Sequence, residues 1–161
     1  MPEQQSSEEL ATEWLTPEQE RTWRDLLLLT ARLPARLNRD LLAGSRLSLA
    51  DYDVLVRLTD ALDGRLRVFE LAQDLQWEQS RLSHHLGRMT RRGLIAREEC
   101  ETDGRGAFVV LTEAGRESIT GAAPAHVGAV RRLVFDALTP QQAVDLGTAA
   151  ARVLERLDHS G

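Results

Sequence analysis

The sequence predicts a mainly α fold organised around a winged helix-turn-helix. Three observations carry that reading. Residues 79–92 have helical periodicity, with Leu82, Leu86 and Met89 on one face and a polar, basic stripe on another. A shorter apolar-periodic stretch, marked by Val68, Leu71, Ala72 and Leu75, precedes it across a tight connection at Gln76-Trp77. After Gly93 the period changes, and 94–100 and 107–111 read as two strands flanking the polar stretch Glu101-Thr102-Asp103-Gly104-Arg105-Gly106.

Each element has a local reason. Residues 1–15 carry Glu3, Glu8, Glu9 and Glu13 with no base, which reads as a frayed acidic arm. Thr16-Pro17-Glu18-Gln19 opens a helix: Thr16 caps, Pro17 suits the first helical position and Gln19 completes a capping box. This helix should run to about Leu42, with a kink near 30–34 where Pro34 removes a hydrogen bond. Ser48-Leu49-Ala50-Asp51 is a second capping box, opening a helix with Tyr52, Leu55, Val56, Leu58 and Leu62 on its inner side. Asp63-Gly64 ends it, and a very short strand follows at 66–68. The helix that begins near Glu78 stops at Gly93, which suits a left-handed C′ position. Thr112 caps a helix with Ile119, Val127, Val130, Val134 and Phe135, which Pro124 should bend. Thr139-Pro140-Gln141-Gln142 repeats the first helix start, and the last helix lines Leu146, Ala150, Val153 and Leu157 along one face.

The bulk numbers narrow the class. The 161 residues suffice for one domain with a real core. Hydrophobic content of 42% with 28% charge is that of a soluble globular chain. The longest apolar run, residues 26–29, is far too short for a bilayer, and no secretory start is visible. The single Cys excludes an intrachain disulfide. Together these lead us to expect a cytoplasmic protein. All twenty basic residues are Arg, which pairs bidentately with phosphate and guanine.

The basic stripe holds Arg81, His84, His85, Arg88, Arg91 and Arg92, on a chain whose net charge is −5. A cationic ridge kept on an acidic protein suggests an anionic partner, and such a helix fits a major groove. We therefore assign DNA contact to Gln79, Ser80, Arg81, Ser83, His84 and Arg88. Gln79 and Ser80 sit where helix N–H groups favour phosphate. Arg81 or Arg88 could read guanine O6 and N7. Arg91 and Arg92 stand near the exit, where phosphate contacts or salt bridges are expected. Arg105, between two glycines, could enter a narrow A·T-rich minor groove. Asp103 is suited to a turn or to orienting a nearby Arg such as Arg97. A plain solvated helix face is the alternative for the whole stripe.

Several motifs add to this. Leu71-Ala72 lies in the helix before the turn, and Ser80 and Ser83 stand in the next. Arg92-Gly93-Leu94-Ile95-Ala96-Arg97 forms the exit, Asp103-Gly104-Arg105 the hairpin, and Leu111-Thr112-Glu113-Ala114-Gly115 the segment after it. In order and spacing they make residues 16–157 resemble the MarR family of bacterial transcriptional regulators. The resemblance implies a homodimer held by the terminal helices, a recognition helix in each major groove and a wing Arg in the adjacent minor groove. It also implies release or rearrangement on DNA when a small, often aromatic, ligand or an oxidant acts. The expected organisation is an arm at 1–15, a dimerisation helix at 16–48, the DNA-binding module at 49–112 and C-terminal dimerisation helices at 113–161.

Other chemistries find less support. Cys100 could act as a redox switch, but Glu98, Glu99 and Glu101 oppose a thiolate there. His84, His85, His126 and His159 lack metal-ligand spacing with Cys100, and neither a metal nor a cofactor is expected. Gly104-Arg105-Gly106 lacks the third Gly of a dinucleotide fingerprint, and no nucleophile elbow or phosphate loop occurs, so an enzyme is not expected. Trp14, Trp23, Tyr52 and Trp77 could line a cavity for an aromatic effector or be plain packing. The sequence is read as that of a dimeric transcriptional regulator, a repressor in the sense the resemblance implies, acting on a near-palindromic operator without membrane association. A winged-helix interaction module that does not bind DNA is the alternative, as is a thiol-based regulator using Cys100.

Overall fold

The computed structural model describes residues 14–99 and 107–159. In chain order the elements are α1 (Pro17–Ser45), α2 (Leu49–Asp60), β1 (Arg65–Arg67), α3 (Val68–Leu75), α4 (Gln79–Arg91), β2 (Ile95–Glu99), β3 (Ala107–Leu111), α5 (Glu113–Leu133) and α6 (Pro140–Asp158). The chain divides into two units between Leu33 and Pro34. The first contains the opening half of α1, where Thr16 and Gln19 form the expected capping box at 2.9 and 3.2 Å. Its Trp23 and Leu26 to Leu29 are exposed. The helix continues to Ser45, one turn beyond the expected end, with Pro34 inside it.

The second unit holds a single core. Leu41, Leu47, Tyr52, Leu55, Leu58, Leu71, Leu82, Leu86, Met89, Ile95, Val109 and Ile119 are buried together. The Ser48–Asp51 capping box fixes the start of α2, and Asn38 Oδ1 accepts from the Leu49 amide at 2.8 Å. That bond ties the second half of α1 to α2. Leu62 departs from expectation. The helix ends at Asp60, so Leu62 falls in a short 3₁₀ turn (Leu62–Gly64) and points to solvent.

The helix-turn-helix turn is made by Gln76, which adopts a left-handed conformation at φ 53. Its amide donates to Gln73 O, and the Trp77 amide donates to Ala72 O, so the chain reverses in two residues. Gly93, at φ 74, ends the next helix in the left-handed conformation that glycine adopts at least cost. The three strands are antiparallel in the order β1-β3-β2, with Arg67 opposite Phe108 and Ile95 opposite Leu111. Gly115 then lets α5 start hard against the exit from α4. A Cβ there would lie 2.1 Å from the Leu94 carbonyl oxygen.

Helix α5 carries Ile119 inside as expected, but Val127 and Phe135 are exposed, the latter in a 3₁₀ turn after the helix ends. Helix α6 has the expected Thr139–Gln142 capping box, yet buries no residue. Among the described residues no helix is long and apolar enough to cross a membrane.

Candidate nucleic-acid interface

Two faces of α4 are cleanly separated. Leu82, Leu86 and Met89 are fully buried and dock the helix on the core. Gln79, Ser80, Arg81, Ser83, His84 and Arg88 are all exposed, as are Arg91 and Arg92. Glu78, at the N-cap, makes no capping hydrogen bond. The first-turn N–H groups beside Gln79 and Ser80 therefore lack a side-chain acceptor from within the cap.

His85 does not belong to the exposed stripe. It stands three residues after Leu82 and four before Met89, on the border between the faces, and it is buried. Its Nε2 lies 3.0 Å from Asp51 Oδ1, without the angles of a good hydrogen bond. Its Nδ1 lies 2.9 Å from an Arg88 guanidinium nitrogen. Asp51 also receives the Ser48 amide at 2.9 Å and Arg92 at 2.6 Å, while Arg92 donates to the Arg46 carbonyl at 2.8 Å. Burial alone would raise the Asp51 carboxyl. The contacts from His85, Arg92 and Ser48 outweigh it and hold the group well below the usual carboxylate range. The salt-bridge role anticipated for Arg92 is thus present.

Trp77 is half-buried between these groups. Its ring meets His85 edge-on at 5.5 Å, and the Arg81 guanidinium sits 4.5 Å over it. Arg81 is thereby held by a cation–π contact at the edge of the stripe.

A recess of about 270 Å³ brings Gln79, Ser83 and Arg97 together with Arg67, Phe69 and Ala107. Sequence reasoning missed Arg65 and Arg67. Both guanidinium groups stack on Phe108, at 4.1 and 5.1 Å, and Arg65 also pairs with Glu98 at 3.4 Å. The available signal was the two-residue alternation Arg65-Leu66-Arg67, which fits a strand with one face inward. Arg97 is exposed on β2. Asp103 and Arg105, assigned to the wing, lie outside the described residues, as does Cys100. The proposed Asp103–Arg97 pairing therefore rests on the sequence.

A second cavity, of about 440 Å³, lies between the second half of α1 and α5. Leu37, Leu41, Ala122 and Ala129 supply its apolar lining, with Arg36, Asp40, His126 and Arg132 at its polar edge. None of Trp14, Trp23, Tyr52 or Trp77 lines it, so its walls are not those aromatic side chains. Tyr52 instead packs against His126, with ring centroids 4.3 Å apart and the rings tilted by 40°; the buried Nδ1 of His126 has no hydrogen-bond partner among the described residues. Burial pushes the His126 ring down and the Asp53 carboxyl up, each opposed by the charge of the other. No group of three or more His, Cys, Asp or Glu among the described residues could hold a metal.

Two helices joined by a left-handed turn, a basic outer face on the second and a strand pair beyond it define a winged helix-turn-helix protein. A family model described as "MarR family" matches residues 47–106. AbsC, a MarR family transcriptional regulator from Streptomyces coelicolor, is 38% identical over 92% of this chain and 99% of its own, with a TM-score of 0.85. Sco3205, from the same organism and solved in complex with DNA, is 39% identical over 90% of this chain and 91% of its own, also with a TM-score of 0.85. A mutant MarR from E. coli, complexed with operator DNA, shares the fold at 22% identity over 88% of this chain and 99% of its own, with a TM-score of 0.76. No significant match occurs among curated proteins. The chain belongs to the MarR family of transcriptional regulators.

Proposed function

We propose that the protein is a homodimeric, sequence-specific DNA-binding regulator, acting as a repressor rather than an enzyme. Helix α4 would enter the major groove through Gln79, Ser80, Arg81, Ser83, His84 and Arg88. The observation that carries this is the division of α4: its apolar face is sealed in the core while every one of those six side chains is exposed. The DNA-bound state of the relative Sco3205 supports the same reading.

Residues 49–112 would be the DNA-binding module, with Arg105 in the minor groove and Asp103 orienting Arg97. Residues 16–48 and 113–161 would hold the dimer, placing two α4 helices about one helical turn apart on a near-palindromic operator, roughly 10 base pairs. The apolar cavity between α1 and α5, with Arg36, Arg132 and His126 at its edge, suits a small effector with an apolar body and an anionic or polar end.

Binding to duplex DNA selected in vitro from a random pool tests the reading. Affinity should fall steeply with salt, with a slope near −0.9 per phosphate neutralised. A chain that selects no sequence and shows a flat salt dependence would instead be an interaction module.

A further inference from the structure

We propose that His85, beneath the exposed stripe, is a positioning residue that sets the orientation of Arg88 and with it one element of base preference. The inference rests on the DNA-binding reading and deepens it. It starts from an arrangement in which each ring nitrogen of one buried imidazole faces a different charged partner. Nε2 faces the Asp51 carboxylate at 3.0 Å, and Nδ1 faces the Arg88 guanidinium at 2.9 Å. A guanidinium only donates, so Nδ1 must accept, which leaves the proton on Nε2, the side facing the carboxylate. The Arg88 contact therefore selects one tautomer, whose Nε2–H lies on the side of the carboxylate, 3.0 Å from Asp51 Oδ1.

The anchor is itself fixed. Asp51 is the third residue of the α2 capping box and is held by the Ser48 amide and by Arg92, which is tied in turn to the Arg46 carbonyl. The edge-on Trp77 ring stands against the same imidazole. His85 thus cannot turn without disturbing α2, the exit of α4 and the helix-turn-helix turn. Arg88 is long and exposed, and a free guanidinium would sample many rotamers. A donor held on one nitrogen presents its remaining N–H groups in a restricted direction, as bidentate reading of a guanine requires. The groups that face His85 from neighbouring elements, Asp51 from α2 and Trp77 from the turn, support it. The group it acts upon is Arg88 on its own helix.

The two nitrogens can be separated by substitution. In His85→Gln the side-chain amide reaches the Nε2 position and can still face Asp51, but it leaves no acceptor at the Nδ1 position, where Arg88 donates. In His85→Asn the carbonyl oxygen sits near the Nδ1 position and can still accept from Arg88, while the link to Asp51 is lost. Duplex DNA selected by the wild-type protein supplies the probe. Affinities for it, and for each single base-pair variant, are measured with wild type, Arg88→Ala, both His85 variants and the double variant His85→Gln/Arg88→Ala.

Arg88→Ala should flatten preference at one position per half-site, by about tenfold or more. His85→Gln should flatten the same position, and the double variant should lose no more than Arg88→Ala alone. His85→Asn should keep the preference and melt at a lower temperature. A folded His85→Gln protein with full preference there, or losses that multiply in the double variant, overturns the proposal. So does an Arg88→Ala protein with unchanged preferences at every position. If His85→Gln does not fold, loss of the preference in a folded His85→Asn protein is the overturning result. A wild-type chain that selects no sequence fails earlier, at the DNA-binding reading itself.

Discussion

Helices α4 and α6 carry similar sequence patterns, each an apolar line beside a polar one, and end in opposite situations. In α4 the line Leu82, Leu86, Met89 has no exposure at all. In α6 the line Leu146, Val153, Leu157 is 44, 59 and 65% exposed, and the helix buries nothing. Periodicity shows that a helix has a face to cover; it does not show what covers it. Helix α4 is covered by its own chain, so its other face is free for a partner of opposite charge. Helix α6 has its apolar face still open, which is why the proposed dimer assigns that face to a second copy.

The largest effect expected on this contrast comes from the polar anchor of α4. Asp51→Ala should cost about 3–5 kcal/mol in chemical denaturation, because it leaves His85 and Arg92 facing a site without their carboxylate. Asp51→Asn tests the pH side of the same group. Its folded value is depressed, so its stabilisation is fully present above the ordinary value of 3.8 and is lost as pH falls below it. The acid limb of a melting-temperature profile should flatten in the Asn variant. An unchanged limb would mean that other carboxylates carry the acid transition.

Next in size is a matched pair of truncations. Leu86→Ala should destabilise by about 2–5 kcal/mol at any protein concentration. Leu157→Ala removes the same atoms from an exposed position. Its effect should appear as a weaker dimer in sedimentation equilibrium and as a melting temperature that depends more on concentration. A concentration-independent loss in Leu157→Ala would place α6 against its own chain and end the contrast. Gly115→Ala should follow at about 1–3 kcal/mol, since its Cβ would meet the Leu94 carbonyl. A melting temperature equal to wild type would show that this joint can relax.

Much of this was readable from residue order. The capping boxes at Thr16, Ser48 and Thr139, the Gly93 stop and the core seam of α4 follow from local rules, and the structure contains them. What escaped depends on distant neighbours. Spacing alone groups His85 with the basic stripe beside Arg81 and Arg88, whereas in the fold it is buried against Asp51, thirty-four positions earlier. Arg65 and Arg67 carry no local signal of their stacking, because their partner, Phe108, is brought to them only by the β1–β3 register. The helical period would put Leu62 inside, but the helix ends before it, at Asp60.

The smallest prediction isolates that difference between local and distant bonds. Ser48 and Thr139 head complete capping boxes of nearly equal geometry, with cap bonds of 3.0 and 3.2 Å. By local rules, replacing either with Ala should cost about 1 kcal/mol. The third residue of the Thr139 box, Gln142, is exposed. The third residue of the Ser48 box is Asp51, which also faces His85 and Arg92. Loss of the Ser48 hydroxyl loosens the turn that aims Asp51 at α4, so Ser48→Ala should exceed Thr139→Ala by a few tenths of a kcal/mol to about 1 kcal/mol. The excess should vanish when both are compared in an Asp51→Asn background. Equal costs in the native background would confine the cap of α2 to α2 itself and detach it from the helix that carries the basic stripe.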